Sequence, residues 1–134
     1  MTRTIDTPAF TTAVALAKPW GHELAFADGS HGYVGKILTV RAGQALSLQY
    51  HERKDETISL IAGEALLEFG HSPEDLITRR MGAHDTVHLP PGVIHRITAV
   101  VDTVLVEAST ADPGWQDDVV RLRDNYGREG TSAP

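Results

Sequence analysis

From Trp20 onward, short apolar segments alternate with turn residues at intervals of about ten residues. Strands of this length, separated by Gly, Asp, Ser and Pro, are typical of a β-sandwich or barrel. Turns are predicted at 28–30, 41–43 and 70–73, and Gly63 separates two neighbouring strands. The pattern predicts strands over residues 21–27, 33–40, 45–50, 57–62, 64–69, 75–81, 85–89, 93–99 and 104–109.

The two ends of the chain lack this pattern. The apolar run at 13–17 is too short for a signal peptide or a membrane anchor, so it is either a short helix or an arm that pairs with a neighbouring subunit. After Ser109 the apolar periodicity stops. A single domain is therefore expected, made of an N-terminal arm at 1–17, a barrel at 18–110, a capping segment at 111–128 anchored by Trp115 and Tyr126, and a disordered tail at 129–134.

Composition narrows the classes of function. The 134 residues carry a formal net charge of -6, which argues against a protein that binds nucleic acid or an anionic membrane, because both depend on clustered cations. The sequence contains no cysteine, which excludes disulfides, thiolate metal sites and cysteine nucleophiles. We expect a cytoplasmic protein whose partner is a small molecule.

One face of the predicted strand at 45–50 is polar and requires an explanation. Alternation along the strand places Ser47, Gln49 and His51 on that face. A charged turn follows, and Glu56 then opens the next apolar strand. Because the chain returns at this turn, Glu56 is expected to lie beside His51.

A second histidine is positioned by the run LPPGVIH, whose prolines and glycine predict a rigid turn with His95 at the head of the next strand. Together, Gln49, His51, Glu56 and His95 form a mixed set of nitrogen and oxygen donors. Such a set suits one divalent ion of zinc, manganese, iron, cobalt or nickel. These four residues are therefore the predicted metal ligands.

The spacing of these residues resembles the two motifs of the cupin superfamily. From Gly43 to Gly63 the order is Gly, five residues, a ligand, one residue, His, four residues, Glu, six residues and Gly, and Pro90 to His95 reads Pro, any residue, Gly, two residues and His. Within the cupins, the run LTVRAGQALSLQYH is similar to the isomerase domain of type II mannose-6-phosphate isomerases. The segments KPWG, DDVVR and DNYGR resemble those that flank that domain.

The resemblance implies an all-β, single-domain cupin, a double-stranded β-helix or jelly-roll barrel, that converts mannose 6-phosphate to fructose 6-phosphate with one bound metal. Bifunctional members carry a nucleotidyltransferase domain upstream that this sequence does not contain, so only the isomerase half is expected. Thr57, His84 and Ala99 depart from the family pattern. These departures weaken the prediction of the substrate more than the prediction of the fold. Two alternatives stay open: an iron-dependent cupin dioxygenase of a small organic substrate, and a non-catalytic cupin that binds a small molecule.

Three residues are candidates for catalysis. Ser47 shares the face of the predicted ligands and either contacts a substrate oxygen or fills space beside the core. Lys36 matches a lysine of the isomerase family and either meets the phosphate, protonates an enediolate or is a surface residue. His88 is a candidate general base if its face of the strand lines the cavity, and a solvated side chain if it does not.

Arg121 and Arg128 match arginines in the family segment VRxxDxYGR, which implies that they bind the substrate. A guanidinium group is shaped for bidentate contact with a phosphate. The alternative is a salt bridge to Asp117, Asp118 or Asp124 that anchors the capping segment.

Leu66 and Leu67 point to opposite sides of their predicted strand. One of them must therefore cover a helix, an arm or another subunit. We expect a homodimer on this ground.

Overall fold

The computed structural model describes residues 7–134, and the first six residues of the predicted N-terminal arm lie outside this range. Its strands form two antiparallel sheets. The strands are β1 (Val14–Lys18), β2 (Gly21–Asp28), β3 (Tyr33–Val40), β4 (Leu48–Tyr50), β5 (Glu56–Ala62), β6 (Ala65–Ser72), β7 (Asp75–Met81), β8 (Thr86–Leu89), β9 (Ile94–Ala99), β10 (Thr103–Thr110) and β11 (Val120–Arg123), with a 3-10 helix at Trp115–Asp117.

The chain crosses repeatedly from one sheet to the other. The first sheet has the order β1-β2-β3-β10-β5-β8, and the second has the order β11-β4-β9-β6-β7. Strands that follow each other in the sequence, such as β3, β4 and β5, therefore alternate between the sheets. This arrangement is that of a jelly roll, and it confirms the predicted all-β fold.

The core fills the space between the two sheets. Leu60 and Leu105 come from the first sheet, Leu67 and Ile97 come from the second, and all four are fully or almost fully buried. Their neighbours along each strand point the other way, as the period of two requires. Trp20 closes one end of this core.

Most predicted strands are present with shifted ends. The predictions at 33–40 and 75–81 coincide with β3 and β7. The prediction at 45–50 is reduced to β4, because Ala45 makes only an isolated bridge to Thr98.

Two strands were not predicted from the sequence. β1 lies inside the predicted N-terminal arm and pairs with β2, so this part of the arm is neither a helix nor free of the barrel. β11 lies inside the predicted capping segment and pairs with β4, with Arg121 opposite Gln49. Both are edge strands of mixed composition, and neighbouring strands rather than their own sequences determine their conformation.

The two leucines of β6 differ in exposure, as alternation predicted. Leu67 is buried in the core, whereas Leu66 remains 37% exposed on the outer face. In residues 7–134, no helix has the length and apolar character required to cross a membrane.

Candidate metal centre

Three buried side chains converge inside the barrel: His51, Glu56 and His95. One ligand atom from each residue lies within 4.8 Å of the others. The Nε2 atoms of His51 and His95 lie 3.4 Å and 3.1 Å from Oε1 of Glu56. Residues from the two motifs, which are far apart in the sequence, thus meet at one point.

Local structure fixes the position of each histidine. The turn before His95 contains Gly92, whose φ of 88° is in the left-handed region that favours glycine. The amide of Gly92 donates a hydrogen bond to the carbonyl oxygen of His51 at 2.8 Å. The rigid turn therefore places His95 and also ties the two histidine segments together.

The same side of each imidazole ring is held by a backbone carbonyl. Nδ1 of His51 donates to the carbonyl oxygen of Asp118 at 2.5 Å, and Nδ1 of His95 donates to that of Val93 at 3.0 Å. A carbonyl oxygen can only accept, so both rings carry their proton on Nδ1. In the neutral rings, each Nε2 then has a free lone pair directed at Glu56.

The buried polar atoms of this cluster fit a metal ion. Within residues 7–134, Nε2 of His51 and both carboxylate oxygens of Glu56 are buried and have no hydrogen-bond partner. Lone pairs that face each other at these distances are stabilised only by a cation between them. The imidazole and carboxylate donors are those that a divalent metal such as zinc, manganese or iron accepts.

Gln49 and Ser47 line the same cavity as His51. Gln49 lies on β4 directly opposite His95 on β9. Its Oε1 accepts a hydrogen bond from Oγ of Ser47 at 2.8 Å. An amide oxygen has two lone pairs, so Oε1 retains one for a metal while Ser47 holds the amide in place.

A buried charge network adjoins the cluster. Nζ of Lys54 lies 3.4 Å from Oε2 of Glu56 and 3.2 Å from Oε2 of Glu107. Although burial opposes the charged form, the neighbouring imidazoles of His51 and His95 and the charge of Lys54 hold the pKa of Glu56 well below its usual value. Glu56 is therefore a carboxylate.

Lys54 and Glu107 perturb each other in the same network. Burial and the negative charge of Glu56 raise the pKa of Glu107. Burial disfavours the charged form of Lys54, but Glu107 and Glu56 together raise its pKa above the usual value. The lysine is therefore held as a cation between two carboxyl groups.

The cavity beside the cluster is rich in basic side chains, although the whole chain is acidic. Burial, followed by the neighbouring positive charges, lowers the pKa of Lys18, although Glu23 opposes this effect. The basic residues at the cavity are Lys18, Lys36, Lys54, Arg121 and Arg128, and the acidic ones are Glu23, Glu107 and Asp118.

Lys36 lies at this cavity rather than on the outer surface. Its Nζ is 3.4 Å from Oε2 of Glu23 and 5.5 Å from the ring centroid of Trp115. Trp115 belongs to the 3-10 helix of the C-terminal segment and forms part of the cavity wall.

Both predicted arginines also line the cavity and are buried. Arg121 donates from Nη1 to the carbonyl oxygens of Thr131 and Ala133 at 2.9 and 2.7 Å. Arg128 makes a bidentate pair with Asp124, at 2.8 and 2.9 Å, and also donates to the carbonyl oxygen of Pro134. The tail at 129–134, expected to be disordered, supplies these acceptors.

His88 does not line this cavity. It lies opposite Thr57 in the pairing of β8 with β5, and Thr57 points outward because its neighbour Glu56 points inward. The side chain of His88 is 59% exposed and pairs with Asp55 at 2.6 Å. The alternative in which His88 is a solvated side chain therefore describes its position.

Several cavity residues were not singled out from the sequence. Lys54 was assigned only to a charged turn, and it lies before the start of β5, so strand alternation gave no signal for it. Glu107, on β10, and Glu23, on β2, lie in strands whose inward positions alternate with exposed ones. In both strands, a charged residue at a position that alternation directs inward could have identified Glu107 and Glu23 as cavity residues.

Asp118 links the C-terminal segment to the metal-ligand loop. Its carboxylate accepts hydrogen bonds from the amides of Glu52, Arg53 and Lys54 at 2.8 to 3.0 Å. Against the effect of burial, these amide donors lower the pKa of Asp118.

Comparison with known proteins gives a family match over most of the chain. Residues 6–124 match the family described as mannose-6-phosphate isomerase C-terminal. The mannose-1-phosphate guanylyltransferase ManC of Salmonella typhimurium is 28% identical over 113 residues, which are 83% of this chain and 22% of that protein. The chain thus spans less than a quarter of the length of this curated relative.

Two solved structures have the same fold at low sequence identity. The capsular polysaccharide assembling protein CapF of Staphylococcus aureus is 18% identical, with a TM-score of 0.71 over 84% of this chain and 34% of that one. A variant of oxalate decarboxylase from B. subtilis is 14% identical, with a TM-score of 0.73 over 90% of this chain and 34% of that one. These similarities show the cupin fold.

Proposed function

The chain belongs to the family of mannose-6-phosphate isomerase C-terminal domains, as its motifs predicted, and from this premise we propose that it is a metal-dependent sugar-phosphate isomerase. The reaction is the conversion of mannose 6-phosphate to fructose 6-phosphate. One observation carries the proposal: the cavity lined by His51, a member of the cluster with Glu56 and His95, is also lined by Arg121 and Arg128.

His51, Glu56 and His95, with Gln49, would hold the metal. When bound, a divalent metal supplies a Lewis acid that positions and polarises substrate oxygens. Ser47 orients the amide of Gln49 through its hydrogen bond at 2.8 Å, and Lys54 balances the charge of Glu56.

The phosphate would bind to Arg121 and Arg128. A chain of formal charge -6 repels an anion at long range, so binding requires a local group of cations. Arginine is the side chain best suited to a phosphate because it makes paired, charge-assisted hydrogen bonds.

Proton transfer is proposed for Lys36 and Glu23, whose charged groups lie 3.4 Å apart at the cavity. Oε2 of Glu23 takes the proton from the carbon next to the aldehyde, and Nζ of Lys36 gives a proton to the aldehyde oxygen. The resulting enediol is neutral apart from its phosphate. Glu23 then returns its proton to the former aldehyde carbon, while the neighbouring hydroxyl gives its proton back to Lys36.

The oxygenase alternative expects an apolar cavity with few cations. The basic side chains at this cavity favour an anionic substrate instead. The proposal also includes a cytoplasmic setting and a homodimer, the latter supported by the exposure of Leu66 on the outer face of β6.

A metal-reconstituted assay tests the function. Metal-free protein is loaded in turn with manganese, iron, cobalt, nickel or zinc, and interconversion of mannose 6-phosphate and fructose 6-phosphate is measured beside oxygen consumption. We expect isomerisation that His51→Ala abolishes and that His88→Ala, outside the cavity, leaves unchanged. Metal-loaded, folded protein that consumes oxygen, or that turns over neither substrate, would overturn the proposal.

A further inference from the structure

The last residues of the chain fold back onto the arginines of the cavity. Nη1 of Arg121 donates to the carbonyl oxygens of Thr131 and Ala133, and Nη1 of Arg128 donates to that of Pro134. Ser132, between them, lies at the cavity wall. The tail therefore occupies donors of two arginines that line the cavity.

These acceptors are chemically incomplete partners for two guanidinium groups. Two neutral peptide carbonyl oxygens, those of Thr131 and Ala133, contact Arg121, and an oxygen of the final residue Pro134 contacts Arg128. Nε of Arg121 is buried and has no hydrogen-bond partner among residues 7–134. At Arg121 the tail thus supplies no negative charge and leaves one buried donor unused.

We propose that residues 131–134 are a built-in competitor that closes the anion subsite of Arg121 and Arg128, and that the phosphate group of a substrate displaces them. This inference rests on the proposed function, because it requires that the cavity accept a phosphate monoester. It adds a regulatory step to that function: opening of the tail precedes productive binding.

The energetics allow such an exchange. An anion adds the attraction between opposite charges to its hydrogen bonds with arginine, whereas a neutral carbonyl does not. The carbonyls of Thr131 and Ala133 are neutral, and ordering the tail costs conformational entropy. A phosphate dianion therefore displaces the tail, whereas a neutral sugar does not.

The second arginine is held independently of the tail. Nε and Nη2 of Arg128 contact the carboxylate of Asp124, whose side chain is fully buried. The guanidinium of Arg128 thus keeps its orientation when the tail leaves. The hydroxyl of Thr131 stabilises the tail turn, since its Oγ1 donates to the carbonyl of Arg128 at 2.8 Å and accepts from the amide of Ala133.

The test compares the full chain with a chain shortened after Gly130, both metal-loaded, by calorimetric titration with inorganic phosphate. We expect the shortened chain to bind phosphate about three- to tenfold more tightly, because no tethered competitor remains. Thr131→Ala, which loosens the turn without shortening the chain, should give an intermediate gain. Ser72→Ala, at the end of β6 and outside the cavity lining, is the matched control and should not change the affinity.

Hydrogen exchange on the full chain gives a second readout that does not depend on truncation. The amides of Gly130 and Thr131 donate to the carbonyls of Arg121 and Arg128, so phosphate should accelerate their exchange. Equal phosphate affinity in the full and shortened chains, or slower exchange of these amides with phosphate, would overturn the inference.

The outcomes separate this inference from the proposed function. If the shortened chain binds phosphate more tightly but catalyses no isomerisation, the tail inference is supported and the proposed isomerase function is contradicted. If the full and shortened chains catalyse isomerisation with the same KM and bind phosphate equally, the proposed function is supported and the tail inference is contradicted. If neither chain binds phosphate, the tail inference and the proposed function are both contradicted.

Discussion

The carbonyl oxygen of Asp118 accepts the Nδ1 proton of His51 at 2.5 Å, so a residue of the C-terminal segment orients a candidate metal ligand. The side chain of Asp118 also accepts the amides of Glu52, Arg53 and Lys54. The loop between the two ligands His51 and Glu56 thus depends on a residue more than sixty positions later.

Replacement of Asp118 by alanine should weaken metal binding. The change removes the acceptor of three backbone amides and releases the loop that carries both ligands. Residues that orient metal ligands typically affect metal affinity by about 10- to 100-fold. Competitive titration with a metal chelator measures the change. Asp117→Ala, at the neighbouring position, is the control, and equal affinities in the two variants would contradict the role of Asp118.

Replacement of His51 by alanine should sharply reduce metal content. The variant loses one of the buried nitrogen donors that converge with Glu56 and His95. Elemental analysis of the purified protein measures the stoichiometry. His88→Ala should keep its metal because His88 faces solvent, and a His51 variant with full metal content would show that the site assignment is wrong.

Replacement of Arg121 by alanine should weaken the binding or turnover of mannose 6-phosphate by about tenfold to a hundredfold, since a charge-assisted hydrogen bond to an anion contributes about 1.5–3 kcal/mol. Neutral mannose should not show this dependence because it has no phosphate. Arg96→Ala serves as the control, since Arg96 pairs with Glu68 at 2.8 Å, outside the cavity. Unchanged affinity of the Arg121 variant for mannose 6-phosphate would remove Arg121 from the phosphate site.

The pair of Asp124 and Arg128 should make stability depend on pH on the acid side. Hydrogen bonds from Arg128 lower the pKa of Asp124 from its usual value near 3.8. As the pH falls, the carboxylate of Asp124 is therefore protonated in the unfolded chain before it is protonated in the folded one. The contribution of the Asp124–Arg128 pair to folding stability is fully present above the usual pKa of an aspartate. It is lost as the pH falls through the lowered pKa of the folded state.

Asp124→Asn should therefore cost about 1–3 kcal/mol in the free energy of unfolding at neutral pH, and less as the solution becomes acidic. Urea denaturation over a series of pH values measures this difference. The exposed Asp75 provides the control variant Asp75→Asn, which should follow the parent. A constant difference between Asp124→Asn and the parent at every pH would contradict the linkage.

Light scattering at micromolar concentration should give twice the chain mass of 14.5 kDa. The expectation rests on the apolar side chains that remain exposed on the outer surface, Leu66 and Ile77 among them. Leu66→Glu should shift the equilibrium toward the monomer if β6 takes part in the contact. A molar mass equal to that of one chain would contradict the predicted homodimer.

Features that depend on neighbouring residues could be predicted from the sequence. The strands at 33–40 and 75–81 were placed correctly because a period of two and their bordering turns are local properties. The spacing of His51, Glu56 and His95 was sufficient to identify the cupin motifs, and the structure brings these three side chains together.

Other features depended on strand pairing and on contacts between distant segments, and only the tertiary structure decided them. His88 faces outward because of its register opposite Thr57, and one strand alone cannot reveal which of its faces is buried. β11 exists because it pairs with β4, although its residues indicated only a capping segment. Three other contacts were also decided by the tertiary structure: Arg121 with the tail, His51 with the carbonyl of Asp118, and Lys54 with Glu107. Some of them join residues that are remote in the sequence. Others use backbone atoms, which every residue has and which therefore leave no signal in the sequence. The sequence by itself therefore determined the fold and the residue types of the candidate metal site, whereas strand pairing and contacts between distant segments decided which charged residues share the cavity.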